Sequence, residues 1–540
     1  MSDKQPFCSG WRARVHYLTR DLRFLLRSCT SILAVGLIIA SAIILSSQES
    51  TLKSRNDAPV SSAQILLRRD YLELLQVAEP APRRLALWLR RQLALIPRGD
   101  TVETYVQSLS SGLLAGNDVT ALLKVHATAQ VPAERFRDYL AAALGGDEKA
   151  QRRLEQAAHA SPPLMLANEF LGSVQKRRGA FNDAMHSFFT EGVHYAEATA
   201  SREEALRLAV SLRDVEQLQA IAANPGWIDA CQPLLQHHAG ALLGDIWMQW
   251  CGLLRHRLRE LPSGTLVLAF FAASIWFLIL VQHRSRVRWP WARSMLPLIA
   301  GVCSVWPTLS ILAYQEYTQG MTADAPFPSD LLYFISGVGL REEGCKLLAF
   351  ALFLPWLLWR RTPGLALLTG AFVGLGFSLE ENIGYFQDYG GAIAWARLLS
   401  ANFLHIALSG ICAHSLYGMF ATRFAHAERF IITFIAVIVA HGAYDWLGTG
   451  TLGDNGWLSI IVLVLCASHF IDLLAQETRP ERRTIAPAAI FTLGSAMLVA
   501  VSFILGALAT RSMIGVAEAG QECLGMFPIA ILYWRRFEDA

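Results

Sequence analysis

Four ionisable residues lie in the middle of one long apolar segment of the sequence. The segment, residues 331–359, reads LLYFISGVGLREEGCKLLAFALFLPWLLW and is long enough to cross a bilayer. Its centre holds Arg341, Glu342, Glu343 and Lys346. Charged groups at membrane depth cost about 2.5–3.5 kcal/mol each on insertion scales, so they usually face a protein interior or a wet cavity. The spacing lets Lys346 meet both glutamates on a helix surface, although neutralising one glutamate for insertion is an alternative role.

Later apolar segments carry polar side chains of the same kinds. Glu381 and Tyr385 share one helix face, with Asn382 beside them. His441 and Asp445 also share a face, which suits a carboxylate that orients an imidazole or two ligands of one metal. Several carboxylates and histidines at one membrane depth favour a functional site over simple packing.

Two histidines on one apolar segment compete for a place in such a site. His405 and His414 lie two and a half helical turns apart, so they point in nearly opposite directions. Only one of them can face a given site. A lone histidine in a membrane helix more often hydrogen-bonds a neighbouring helix than performs catalysis, and this reading applies first to His414.

The composition is typical of a membrane protein with a soluble portion. Of 540 residues, 53% are hydrophobic and 17% are charged, and the mean hydropathy is positive. These values exclude a disordered chain. The net charge of +3 gives no indication of nucleic-acid binding, and the nine cysteines show no spacing of a disulfide framework or metal clip.

Apolar runs and arginine-rich loops predict an all-α, polytopic transmembrane helix bundle with an inserted soluble helical-array domain. We count about nine spans, and every second loop is rich in arginine, which predicts a cell (inner) membrane protein with a cytoplasmic N-terminus. A cleaved signal peptide is the alternative for the first apolar run. The predicted segments are a basic cytoplasmic tail (1–29), a transmembrane anchor (30–47), an extracytoplasmic helical domain (48–244), a polytopic membrane domain (245–510) and a tail that is either interfacial or a further span (511–540).

The soluble domain consists of amphipathic helical patterns joined by short turns. Residues 163–196 resemble a single tetratricopeptide repeat, because Leu171 and Gly172 are followed by Gly179, Ala184 and further repeat-like positions. A generic helical array is an equal alternative. Either arrangement predicts a domain that binds a protein or peptide ligand.

Four motifs occur in order on four successive apolar segments. They are REEGCK, GFSLEENIGY, a histidine eight residues after Arg397, and HGAYD. Together they resemble the PrsW family of membrane-embedded peptidases, which is distantly related to the CAAX-processing and bacteriocin-immunity peptidases. The resemblance covers roughly residues 295–475 and does not extend to the soluble domain.

The resemblance implies a set of site residues. The middle histidine of the family pattern corresponds to His405 by its spacing from Arg397, with His414 as the rival. The implied catalytic residues are Glu342, Glu343, Glu381, His405, His441 and Asp445, and the implied supporting residues are Lys346, Asn382, Tyr385 and Arg397.

Two mechanisms of peptide hydrolysis remain open at this stage. In one, a buried glutamate activates water and a histidine stabilises the oxyanion. In the other, His405, His441 and Glu343 are candidate ligands of a divalent metal such as Zn. The sequence has no HExxH motif that would decide for the metal. The expected partners are the lipid bilayer and membrane-anchored protein substrates, with the helical domain selecting or docking them.

Two other functions compete with the peptidase. Acidic and histidine residues inside spans also form proton relays, so a proton- or ion-coupled transporter is one rival. Transporters of that kind usually show internal repeats, and no repeat is evident among the apolar segments. The second rival is a catalytically inactive membrane scaffold that binds partners through the helical domain.

Overall fold

The computed structural model describes residues 10–53, 138, 139, 142, 147–259, 263–284, 291–449, 457–480 and 485–538. The chain divides into two compact units, one of Met1–Leu52 with Glu260–Ala540 and one of Lys53–Arg259. The described residues are almost entirely helical, which confirms the all-α prediction. Several helices predicted from the pattern of the soluble domain fall at 54–137, outside the described residues.

The unit Lys53–Arg259, which falls largely in the domain predicted to be soluble, is called the soluble unit from here on. Its described part is a series of short amphipathic helices. Asp147 begins the first of them and caps it, because its carboxylate accepts the backbone N–H of Lys149 at 2.8 Å. The described residues before this series include α1 (Trp11–Leu18) and α2 (Leu22–Lys53). The series comprises α3 (Glu148–Ala158), α4 (Ala167–Arg177), α5 (Phe181–His194), α6 (Thr199–Leu212), α7 (Val215–Ala222), a 3₁₀ turn (Ile228–Ala230), α8 (Pro233–Leu243) and α9 (Ile246–Arg259).

The other unit is a bundle of mostly apolar helices. Its first half comprises α10 (Ser263–Leu280), β1 (His283–Arg284), α11 (Trp291–Tyr317), α12 (Ser329–Leu332), a π-helix (Tyr333–Gly339), α13 (Leu340–Ala351) and α14 (Leu354–Arg360). Its second half comprises α15 (Pro363–Asp388), a 3₁₀ turn (Gly391–Ile393), α16 (Ala394–Leu399), α17 (Ala401–Ala421), α18 (Ala427–Gly448), α19 (Leu458–Glu477), β2 (Arg479–Pro480), α20 (Pro487–Thr510) and α21 (Met513–Glu538).

Seven of the described helices are long and apolar enough to cross a membrane, and α10 is a shorter apolar helix. The protein is therefore a multi-pass membrane protein. The predicted span at 331–359 is not one continuous helix, because a turn at Leu352 and Phe353 separates α13 from α14, which has Pro355 in its first turn. The charged residues in the middle of the segment also interrupt its apolar sequence. The tail, in contrast, forms the single helix α21 and packs against α20.

Helix α15 runs through the middle of the bundle. Inside the protein, 94% of its apolar window is buried, against 17% for α18. It packs against α11 and α17. The approach to α17 requires glycine at position 374, because a Cβ there would lie 2.1 Å from the carbonyl oxygen of His405. This close contact fixes where α15 places Glu381 relative to His405.

Two of the predicted arginine-rich loops meet at one end of the bundle. Strands β1 and β2 pair antiparallel there, with His283 opposite Pro480. The start of α15 lies at the same end, since a Cβ on Gly364 would be 2.3 Å from the carbonyl oxygen of Glu477. Glu381 lies 17 residues further along α15, or about 25 Å away at 1.5 Å per residue. The charged residues of α15 are therefore near the opposite end of the bundle.

Candidate active site

Lys346 lies at the centre of a cluster of charged side chains from three helices. Its Nζ donates to Glu343 Oε1 at 2.6 Å and to His405 Nδ1 at 2.8 Å. Glu342 Oε2 is 3.6 Å away, and the centroid of the Phe377 ring is 4.2 Å from Nζ. Lys346 and Glu343 are both buried. Because buried charges are tolerated only with partners, the ammonium group holds the two glutamates and the histidine together.

His441 brings α18 into this cluster. Its Nδ1 lies 2.7 Å from Glu343 Oε1, and its Nε2 lies 3.5 Å from Glu342 Oε2 and 3.4 Å from Asp445 Oδ2. An ionised carboxylate only accepts hydrogen bonds, so the short contact assigns a proton to Nδ1. Glu343 therefore orients the imidazole, and Nε2 faces two carboxylates.

Glu381 connects His405 to a second group of polar residues. Its Oε2 accepts from Arg397 Nη2 at 2.7 Å and lies 3.0 Å from His405 Nε2. Arg397 also donates from Nε to Asn382 Oδ1 at 2.5 Å, and Asn382 donates to Asn402 Oδ1 at 2.8 Å. This chain of hydrogen bonds fixes the carboxylate of Glu381 beside His405.

A chamber of about 300 Å³ opens beside these residues. The guanidinium of Arg397 stacks on the ring of Tyr385, 3.6 Å from its centroid. The side chain of Glu381 is 22% exposed, whereas that of Glu343 is 1% exposed, so only the former meets the chamber. The polar side chains that line the chamber are Glu381, Tyr385, Tyr389, Arg397, Ser400, His405, His441, Tyr444 and Asp445.

Two glycines let the helices of the cluster approach closely. Gly339 ends the π-helix Tyr333–Gly339, three residues before Glu342, and Gly442 directly follows His441. A Cβ on either glycine would lie 2.4 or 2.5 Å from a carbonyl oxygen of the facing segment. Only glycine allows this approach, so the pair sets the distance between the glutamates of α13 and the imidazole of α18.

The order and geometry of these motifs agree with the comparison with known families. Residues 289–471 match the PrsW family. The matching family model is described as PrsW family intramembrane metalloprotease. The match confirms the resemblance given by the four motifs, and with the apolar helices it supports a membrane peptidase. No curated protein and no solved structure matches the chain.

The tetratricopeptide resemblance is not confirmed. The PrsW match covers none of the soluble unit. Helices α4 and α5, which hold the residues quoted for that repeat, do pack against each other through Gly172 and Phe188. A contacting helix pair is equally compatible with a generic helical array.

The predicted residues of the PrsW-like region are close together, except for one. His414 lies apart from the cluster, with Nε2 3.3 Å from Glu477 Oε1. The described structure thus puts His405, not His414, beside the glutamates, while the catalytic roles remain predictions. The residues that contact one another in the cluster or line its chamber are Glu342, Glu343, Lys346, Glu381, Asn382, Tyr385, Arg397, His405, His441 and Asp445.

The sequence analysis missed four polar residues of the site, including Tyr389 and Ser400 of the chamber lining. Asn402 is fully buried and bonded to Asn382, and Tyr444 lines the chamber. Asn402 stands three residues before His405 in an otherwise apolar stretch, which was the available signal. Tyr444 lies inside the HGAYD motif, three residues after His441, which was the signal available for it.

Three residues of the PrsW-like cluster have ligand atoms close enough together to hold a divalent cation. Glu342, His405 and His441 each offer a ligand atom within 4.8 Å of the others. Glu342 Oε2 is buried without a hydrogen-bond partner, and His441 Nε2 faces it, so both have lone pairs to offer. His405 fits only after a change, because Lys346 donates to its Nδ1 and leaves the proton on Nε2. Its Nε2 would be free to coordinate a cation only with the proton on Nδ1, which requires Lys346 to donate to the glutamates alone.

Proposed function

We propose that the protein is a membrane-embedded peptidase that hydrolyses membrane-anchored proteins in the chamber beside Glu381. The single observation that carries this proposal is the convergence of carboxylates and imidazoles from three helices on one chamber. A salt bridge that only compensated buried charge would not need a chamber lined by Glu381, His405, His441 and Asp445. A proton relay is less favoured, because the PrsW match is to a peptidase family.

Glu381 is our candidate for the group that moves the proton. Peptide hydrolysis requires removal of a proton from water and its delivery to the leaving amine. Glu381 lies on the chamber, whereas Glu343 is enclosed by Lys346 and His441. We infer that Glu381 accepts the proton of the attacking water and returns it to the amine nitrogen. Arg397 holds the carboxylate in place during both transfers.

His441 and Glu342 are our candidates for the groups that bind and polarise the water. Glu343 keeps the proton of His441 on Nδ1, so Nε2 is directed to Glu342 and Asp445. A divalent cation held by Glu342, His405 and His441 would supply Lewis acidity and lower the pKa of bound water. Donors for the oxyanion are available from the guanidinium of Arg397 and the hydroxyl of Tyr444, which both line the chamber.

The orientation of the protein follows from the arginine-rich loops. The chamber is near the end of α15 that lies away from the pairing of β1 and β2, where two of those loops meet. By the positive-inside rule that pairing is cytoplasmic. We therefore propose that the site opens to the outer half of the inner membrane, with the soluble unit extracytoplasmic and the N-terminus cytoplasmic.

The peptidase proposal is tested by comparing the membrane proteomes of cells that produce the wild-type chain or Glu381→Gln. New protein N-termini that appear only with the wild type identify cleaved substrates. His414→Ala is the matched control, because it removes a membrane histidine that lies outside the cluster. Equal sets of N-termini from wild type and Glu381→Gln, at equal protein levels, would contradict the proposal.

The cation is tested on the purified full chain in lipid nanodiscs. Mass spectrometry of the metal content should find one divalent ion per chain, and His441→Ala should reduce its affinity by at least about tenfold. His414→Ala should bind the ion as the wild type does. If the wild type contains no metal and cleaves equally well in the presence of a chelator, the metal mechanism is excluded and the glutamate mechanism remains.

We also propose that the soluble unit docks substrates for the membrane site. Its helical-array character is typical of domains that bind proteins or peptides. A chain lacking residues 51–244 should keep the cluster but lose cleavage of native partners. Unchanged processing of the substrates found by the proteome comparison would remove this role.

A further inference from the structure

The last helix of the soluble unit, α9 (Ile246–Arg259), carries an apolar stripe on its outer surface. Ile246, Trp247, Trp250 and Leu254 are 63%, 76%, 40% and 46% exposed. At 3.6 residues per turn these four positions fall within about 100° of the helix circumference. Two exposed tryptophans with two aliphatic side chains are more than the scattered apolar residues of an ordinary soluble surface.

The opposite face of α9 is fixed against α8, so the helix cannot turn its stripe inward. Gln249 and Leu253 are buried. A Cβ on Gly252 would lie 2.6 Å from the backbone nitrogen of His237, and the His237 imidazole bonds to the carbonyl oxygen of Gln249 at 2.9 Å. The outward direction of the stripe is therefore built into the packing of the two helices.

The end of α9 is basic. Its sequence, IWMQWCGLLRHRLR, contains three arginines and no acidic residue. The side chain of Arg255 is 54% exposed, donates to Gln236 Oε1 and lies 3.9 Å from the exposed carboxylate of Asp229. Arg259 is exposed as well. An apolar face with tryptophans next to arginines is the pattern of helices that lie in the interface of an anionic membrane.

The chain itself holds α9 near a bilayer. Arg259 ends α9, and Ser263 begins the apolar helix α10 four residues later. Only residues 260–262 of the sequence separate the basic end of α9 from this apolar helix.

We propose that α9 lies in the membrane interface, with its apolar stripe among the lipid acyl chains and its arginines on anionic headgroups. Tryptophan favours this depth, because its ring is apolar and its N–H finds polar partners there. The helix would then anchor the soluble unit to the lipid surface next to α10. This inference rests on α9 alone and does not depend on the proposed peptidase activity.

The test places a photoreactive phenylalanine analogue at position 247 of the full chain, reconstituted in vesicles of phosphatidylcholine and phosphatidylglycerol. Illumination should give phospholipid adducts at position 247, which mass spectrometry identifies. Phe181 is the matched control position, since it is an exposed aromatic residue of the same unit but lies on α5. Adducts should be at least about fivefold fewer there.

A second probe position and a double arginine variant complete the test. The analogue at position 254 should also form lipid adducts, which guards against a local defect at position 247. In the position-247 chain, Arg255→Gln with Arg259→Gln should reduce the adducts about fivefold or more on the anionic vesicles. Crosslinks to residues 54–137, to the membrane domain or to a second chain, with no lipid adduct at either position, would overturn the proposal.

Discussion

Helix α17 carries two histidines whose surroundings differ, although both lie in one apolar helix. His405 meets the ammonium of Lys346 through one ring nitrogen and the carboxylate of Glu381 through the other. His414 meets Glu477, and its side chain is 19% exposed against 4% for His405. The first histidine is part of a cluster on a chamber, and the second forms one polar contact at the other end of the bundle.

The difference shows that the polar partners of a membrane histidine are decided by the helices around it. Both histidines sit on the same helix, so local sequence gives each the same apolar context. The partners of His405 come from α13 and α15, which glycines hold close to α17 and α18. A histidine with charged partners on both nitrogens can move or hold a proton, whereas one with a single exposed partner needs no such role.

The largest expected effect is on the cleavage rate, and it should distinguish His405 from His414. His405→Ala should lower the cleavage rate by about 10²–10⁴-fold, because it removes a candidate cation ligand and the imidazole that contacts Glu381, the proposed proton-transfer group. His414→Ala should change it by less than about twofold, because its contact is far from the chamber. Rates are measured with the purified full chain and a substrate from the proteome comparison. Equal losses for both variants would break the distinction between the two histidines.

The next largest effect on the cleavage rate is expected from the close contact between Gly442 and the π-helix. Gly442→Ala should lower the cleavage rate by about 10²-fold, since the added Cβ would push α18 away from the π-helix and shift His441. Gly448→Ala is the control on the same helix, because a Cβ there meets nothing within 4 Å. A fully active Gly442→Ala chain would mean that the close approach does not position His441.

A third pair of effects is on stability and compares the ion pair of Lys346 with that of His414. Lys346→Met leaves Glu343 buried without its ammonium partner, which should lower the free energy of unfolding by about 3–5 kcal/mol. Glu477→Gln removes the partly exposed contact of His414 and should cost less than about 1 kcal/mol. Thermal unfolding in detergent micelles measures both. Adding Glu343→Gln to Lys346→Met should restore much of the loss, and no recovery would refute the compensation argument.

Local spacing was enough to predict contacts within one helix. Lys346 was expected to reach both glutamates, and its Nζ lies 2.6 Å and 3.6 Å from them. His441 and Asp445 were expected on one face, and they lie 3.4 Å apart. Such contacts follow from 3.6 residues per turn and need no knowledge of neighbouring helices.

Contacts between helices were beyond what spacing predicts. The choice between His405 and His414 stayed open because it depends on residues 59 and 63 positions away in the chain. Asn402 was missed because its partner Asn382 is on another helix. The glycine contact of Gly442 was missed for the same reason, since it requires the backbone path of the π-helix.

The burial of α15 has a consequence for biosynthesis of the protein. Its buried polar residues, Glu380 and Asn382 among them, would be costly among acyl chains, so α15 depends on protein neighbours to cover them. The helices it packs against include α11, which is made earlier, and α17, which is made later. We therefore expect α15 to reach its final place only after ribosomal synthesis has delivered both neighbours.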